Sequence, residues 1–163
     1  MSTMTLESVG QKAQNDTSQF LTFQLGGEEY GLDILSVQEI RGYVQPTRLP
    51  NSPPHVTGVL NLRGAIVPLY DLRRMFDLEQ IEYDQFAAIV VATINSSVVG
   101  LVVDRVSEVI TAATSDIQPA PNVGNSSGQD CVRGILRHEE QLIILLDAHA
   151  LINGDEIDLS LAA

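Results

Sequence analysis

The same succession of short apolar runs occurs twice along the chain, in the same order, and this constrains the fold more than any other feature. Tyr30-Gly-Leu-Asp-Ile-Leu-Ser-Val-Gln-Glu-Ile can be laid on Val99-Gly-Leu-Val-Val-Asp-Arg-Val-Ser-Glu-Val, so that Gly31 matches Gly100, Val37 matches Val106 and Glu39 matches Glu108. Further on, Gly58-Val-Leu matches Gly134-Ile-Leu, and Ile66-Val-Pro-Leu-Tyr-Asp matches Leu142-Ile-Ile-Leu-Leu-Asp. Chance similarity between apolar strands is the competing explanation. Glycines and glutamates at fixed offsets weigh against it. A lobe of about 65 residues buries too little surface to be very stable alone, so two related lobes should pack closely across an apolar seam.

The runs read as strands rather than helices. Phe20 to Leu25 and Glu28 to Ile34 flank Gly26-Gly27, which suits the positive φ angles of a tight hairpin turn. Val59 to Leu62 and Ala65 to Leu69 flank Arg63-Gly64. Phe86 to Ile94 and Val98 to Asp104 flank Asn95-Ser-Ser97. Cys131 to Leu136 and Leu142 to Leu146 flank Arg137 to Gln141. Val37 and Ile40, three apart, predict a short helical turn over Leu35 to Ile40, with Ser36 as its cap. Tyr70 to Phe76 also has helical spacing. Ala148 to Ile152 predicts a final helix, capped by Asp147 and ended by Gly154. Pro46, Pro50, Pro53 and Pro54 force an irregular connection, and Gln118 to Asp130 reads as a long loop. Many short strands with turn signals predict barrels or a sandwich. Structure is expected to begin at Phe20, after a polar segment, Met1 to Ser18, with little to bury.

Composition excludes several function classes. The net charge of −12 disfavours phosphate backbones and anionic membrane surfaces, so neither nucleic acid nor a lipid bilayer is an expected partner. No apolar stretch is long enough for a membrane span, and the first residues lack the apolar core of a signal peptide. Cys131 is the only cysteine, so no internal disulfide can form, which fits a reducing compartment. The histidines, His55, His138 and His149, have no metal-binding spacing. His138-Glu139-Glu140 reads better as a solvated turn than as a metal contact. No nucleophile elbow, P-loop or dinucleotide fingerprint is present. Asp71 and Asp147 each follow an apolar strand and suit helix caps better than catalytic acids. A small hydrolase or metal enzyme on a barrel is the alternative of another class, and it would require convergent histidine and carboxylate side chains. No cofactor and no catalytic residue is expected.

Four residues remain as candidates for contacts. Arg63, in Asn61-Leu-Arg-Gly64, falls at an exposed turn of an acidic chain, where spacing alone favours a solubilising residue over a specific contact. Val37 and Ile40 read as core and Glu39 as exposed.

The blocks Phe20 to Ile34, Val37-Gln-Glu-Ile-Arg-Gly-Tyr, Gly58-Val-Leu-Asn-Leu-Arg-Gly-Ala-Ile-Val-Pro-Leu-Tyr-Asp-Leu and Val99 to Val109 together resemble the CheW-like family of bacterial chemotaxis coupling domains. The resemblance covers Phe20 to Ile152. It implies an all-β fold of two packed five-stranded SH3-like barrels with short helices, one of them C-terminal. It implies a single domain over residues 19–154, with lobes of about 19–80 and 86–154 and flexible tails at 1–18 and 155–163. Whether the lobes exchange terminal segments is left open. The function implied is a non-enzymatic adaptor that couples transmembrane chemoreceptors to the histidine kinase CheA. Its implied partners are the cytoplasmic receptor tip and the kinase's own CheW-like regulatory domain, in the cytoplasm beneath a membrane-associated array. A coupling module in a non-chemotactic array is the nearest alternative. By the same resemblance, Val37, Glu39 and Ile40 face the receptor, with the two apolar residues as anchors, and Arg63 is a coupling residue toward receptor or kinase.

Overall fold

The computed structural model describes residues 16–120 and 131–152. The first hairpin pairs β1 (Thr17–Leu25) with β2 (Glu28–Asp33) around Gly26 and Gly27, whose φ angles are 59° and 88°. A 3-10 turn, Ile34–Ser36, leads into β3 (Val37–Gly42), and then follow β4 (Val56–Leu62), β5 (Ala65–Asp71) and helix α1 (Leu72–Met75). The second half follows a similar order, with one short strand more and with its 3-10 turn after the third strand rather than before it. It contains β6 (Ala88–Ile94), β7 (Ser97–Val103), β8 (Arg105–Ala113), a 3-10 turn at Thr114–Asp116, β9 (Ile117–Gln118), β10 (Val132–His138), β11 (Gln141–Leu146) and helix α2 (Ala148–Ile152).

Strand order in the six-stranded sheet is β8-β1-β2-β11-β10-β9, and in the five-stranded sheet β3-β6-β7-β5-β4. Each sheet therefore combines a hairpin from one half of the chain with strands from the other half. The β1–β2 hairpin sits between β8 and β11. The β6–β7 hairpin sits between β3 and β5. Both insertions end in a parallel pairing, β2 with β11 and β5 with β7. The described chain crosses between sheets at two places, from β2 to β3 and from β7 to β8.

The matched glycines occupy equivalent places. Gly31 lies opposite Leu145 and Gly100 opposite Leu69. A Cβ would meet those leucine side chains at 2.8 and 2.4 Å, so the missing side chain lets a large one fill the space. Gly58 and Gly134 mark where each barrel closes. Thr47 and Val59 exchange two backbone hydrogen bonds, of 3.0 and 2.8 Å, that join the segment after β3 to β4. A Cβ on Gly58, whose φ is 151°, would lie 2.2 Å from the Thr47 carbonyl oxygen. In the other barrel β9 closes onto β10, and a Cβ on Gly134 would lie 2.8 Å from the Gln118 oxygen.

Alternation along the strands divides the apolar residues among three clusters. Ile89 and Val91 point into the five-stranded barrel with Leu62, Val67, Leu69 and Val102. Phe20, Ile110, Leu136, Ile143 and Leu145 fill the other barrel. The remaining face of the same strands, with Val90, Ala92, Leu101 and Val103 meeting Leu21, Phe23, Leu25 and Leu32, forms a larger cluster shared by the two sheets. Leu72 of α1 and Leu151 and Ile152 of α2 close it. Each such side chain contributes about 1.5–3 kcal/mol on burial, and neither barrel could keep its seam face dry without the other.

Several local expectations are corrected. Val37 to Ile40 is strand, not a helical turn: β3 pairs with β6, and the helical part ends at Ser36. Pairing across the sheet outweighs a local spacing that fits both periods. Helix α1 begins only at Leu72, because Tyr70 and Asp71 continue β5 in register with Leu101 and Val102. Strand β1 begins at Thr17, three residues before Phe20, because Thr17 and Ser18 pair with Ala113 and Ala112. Gln118 belongs to β9, while residues 121–130 of the expected loop, Gly154 and the expected tails at 1–15 and 155–163 lie outside the described residues.

Candidate functional site

The structure brings Glu39 and Arg63 into direct contact. Arg63 sits on the two-residue turn between β4 and β5, with φ 50° followed by Gly64 at 89°. The Asn61 side-chain oxygen accepts the Gly64 N–H at 2.9 Å, which fixes the turn. Arg63 Nη2 then donates to Glu39 Oε1 at 2.6 Å, and Arg41 Nη1 donates to Glu39 Oε2 at 3.3 Å. One carboxylate thus holds two guanidinium groups. The Arg63 hydrogen bond, helped by Arg41, keeps the Glu39 carboxyl below the usual glutamate range, and Glu39 in turn raises Arg63.

Val37 and Ile40 have different surroundings. A register shift between Val37 and Glu39 reorients the start of β3. Val37 is half-buried and packs against the seam cluster, whereas Ile40 is 45% exposed. Ile66, near the start of β5, is 60% exposed, and Leu35, on the crossing from β2 to β3, is 90% exposed. Arg41 and these two apolar residues were not singled out from the sequence. Arg41 could have been found from its position two residues beyond Glu39 on a strand, on the same side of the pleat.

The second barrel repeats the placement with different chemistry. Glu108 matches Glu39, and exposed Val109 and Leu142 match Ile40 and Ile66. The turn equivalent to Arg63-Gly64 is Glu139-Glu140. In place of two arginines, His138 Nε2 lies 3.9 Å from Glu108 and 3.8 Å from Glu139.

Elsewhere polar groups are committed to structure. The Asp71 carboxylate accepts the backbone N–H of Arg73 at 3.0 Å and the Tyr83 hydroxyl at 3.0 Å. Asp147 accepts the N–H groups of His149 and Ala150 at 3.1 and 3.3 Å, so both aspartates cap the helices that follow them. Burial, then the nearby Asp71 charge, pushes the Tyr83 hydroxyl far above its ordinary value. Arg73 grips Asp104 through two bonds of 2.8 and 2.7 Å, and the Gly26 N–H donates to the same carboxylate at 2.9 Å. Among the described residues no cluster of three or more metal-ligating side chains forms.

Two interlaced barrels with a common seam, each bearing a charged turn between exposed apolar side chains, define a scaffold-type β domain. The chain belongs to the CheW-like domain family, whose model matches residues 19–156. It is 42% identical over 153 residues to the chemotaxis protein CheW of Klebsiella aerogenes, covering 94% of this chain and 88% of that one. It is 34% identical over 142 residues to CheW of Rhizobium meliloti, covering 87% and 92% of the two chains. The crystal structure of the scaffolding protein TtCheW from Thermoanaerobacter tengcongensis superimposes with a TM-score of 0.79 at 33% identity, covering 86% of this chain and 97% of that one. Among the described residues no helix is long and apolar enough to cross a membrane.

Proposed function

We propose that the chain is a non-catalytic adaptor that couples the cytoplasmic tips of transmembrane chemoreceptors to the histidine kinase CheA. The observation that carries this reading is the Glu39–Arg63 ion pair at the exposed turn of the first barrel, beside Ile40 and Ile66. Strand β3 and the β4–β5 turn meet there, so a ligand touching β3 shares a charged group with that turn. Apolar side chains for affinity beside charges for register suit recognition of an amphipathic helix. Ile40 and Glu39 serve as receptor contacts. Val37, being half-buried, contributes a smaller apolar edge, and Arg63 links that contact to the turn facing a second partner. Membership of the family and the relatives' names support the chemotactic assignment. Individual contacts need only micromolar strength, about −8 kcal/mol, because a multivalent array raises avidity. The protein acts in the cytoplasm, recruited to receptors already in the membrane.

Pull-down with a purified receptor-tip fragment and the kinase tests the reading. The wild-type chain is expected to retain both. Glu39→Lys should weaken receptor capture at least tenfold while its melting temperature stays within about 2 °C, since exposed ion pairs contribute little stability. Wild-type protein that captures neither partner, or a Glu39→Lys variant with unchanged receptor affinity, would overturn the assignment.

A further inference from the structure

We infer that the proline-bounded loop between β3 and β4, together with α1, forms a binding site for a small phosphate-class oxyanion. A cavity of about 210 Å³ opens there, lined by Arg48, Ser52, Pro53, Pro54, Thr57 and Arg74 among others. Acidic residues outnumber basic ones 21 to 9 in this chain, yet the lining holds two arginines and no carboxylate. That local reversal of sign is the primary observation.

The two arginines are prepared differently. Arg74 is held in place: its Nη1 donates to the Pro54 carbonyl at 3.1 Å and its Nε to Gln80 Oε1 at 3.2 Å. The Asp71 carboxylate, 3.7 Å from the Arg74 Nε, offsets part of its charge. Among the described residues Arg48 makes no ion pair or side-chain hydrogen bond, and its donor fork is uncommitted to any of them. Thr57 contributes to the cavity wall, with its hydroxyl oxygen shielded behind the surface and without a hydrogen-bond partner among the described residues. Pro53 and Pro54 stiffen the wall, and Ser52 closes a turn by donating to the Leu49 carbonyl at 3.1 Å. Rigid walls lower the entropy lost on binding. A tetrahedral oxyanion presents acceptors in several directions and meets two separated guanidinium groups better than a planar carboxylate does. The volume admits a phosphate with a small organic group attached. The −12 net charge opposes the approach of any anion, so affinity on the order of 1 mM is expected, falling as salt rises.

The test is titration of the full chain by two-dimensional NMR, with inorganic phosphate and AMP in separate arms and with chloride and acetate at matched ionic strength. Saturable shifts of the amides of Arg48, Ser52, Thr57 and Arg74 are expected. Saturation by phosphate alone identifies the free ion, and tighter binding of AMP identifies a phosphomonoester. Arg48→Gln removes no ion pair or side-chain hydrogen bond among the described residues and should weaken binding at least fivefold. Arg137→Gln, an exposed arginine elsewhere, should leave it unchanged. The inference fails if the shifts do not saturate, if chloride or acetate reproduces them, or if Arg48→Gln binds as wild type does.

Discussion

Asp104 shows how much one side chain can organise. It stands where the chain crosses from β7 to β8, and its carboxylate accepts both the Arg73 fork and the N–H of the β1–β2 turn. Its own N–H donates to the Gln24 carbonyl at 3.1 Å, so the crossing is tied to the opposite sheet on both sides. Burial alone would raise this carboxyl. The Arg73 hydrogen bonds and the Gly26 N–H outweigh it, and the group is held below the usual aspartate range. A carboxylate depressed in the folded state adds stability that is complete above its unfolded pKa of about 3.9 and is lost as pH falls through the lower, folded value. Acid melts should therefore steepen below about pH 4, and Asp104→Ala should flatten that limb. The same variant leaves a largely buried Arg73 without its carboxylate, held only by the Glu79 carbonyl, and should cost about 2–3 kcal/mol at neutral pH, measurable by urea denaturation. Nothing in the sequence marks this pair, because Arg73 and Asp104 meet only through the fold. The Glu39–Arg63 contact was hidden for the same reason, although each residue had been singled out alone.

Four two-residue turns join the hairpins, and all four use positive φ at both positions. Gly26-Gly27 and Arg63-Gly64 carry glycine where that backbone favours it. Glu139-Glu140, with φ of 50° and 69°, carries none. Replacing these two glutamates with Asn-Gly should raise stability by about 1 kcal/mol, seen as a rise of about 2–4 °C in Tm, because the left-handed region strains a β-carbon. Substituting Gly100 by alanine should act oppositely. Its Cβ would be driven against Leu69, with a loss of about 1–3 kcal/mol. The hairpins and both aspartate caps were legible because their signals are local: the Gly26-Gly27 pair, β-branched runs, and an acidic residue after an apolar strand. The last turn, read as Arg137 to Gln141, is only Glu139-Glu140, because Arg137, His138 and Gln141 carry no strand signal and join the sheet through pairing. β3 was misread because Val37 and Ile40 fit either period, and pairing with β6 decided between them. β9 was missed because two residues carry no pattern, and Ile117-Gln118 is a strand only through its contact with Leu136 and Ile135.

At the scale of the whole molecule, sequence halves and structural sheets do not coincide. The repeat made two related lobes legible. It could not say which hairpin belongs to which sheet, since β1–β2 and β6–β7 carry similar apolar faces and either could complete either barrel. The described structure has each hairpin serving the other half's strands. Fragments divided between residues 84 and 85 should accordingly be unfolded apart, as judged by NMR dispersion, and should recover native spectra on mixing. A folded isolated half would contradict the interlaced architecture. The interlacing also orders events in time. During synthesis β1 and β2 leave the ribosome first, yet their neighbours β8 and β11 come roughly a hundred residues later. At about 5–20 residues per second the first hairpin waits for several seconds with one apolar face uncovered. The strands of the five-stranded barrel, β3 to β7, emerge within that interval and offer the hairpin a nascent surface to rest on. The seam that makes one body of the finished protein can thus shelter its earliest segment while translation is still under way.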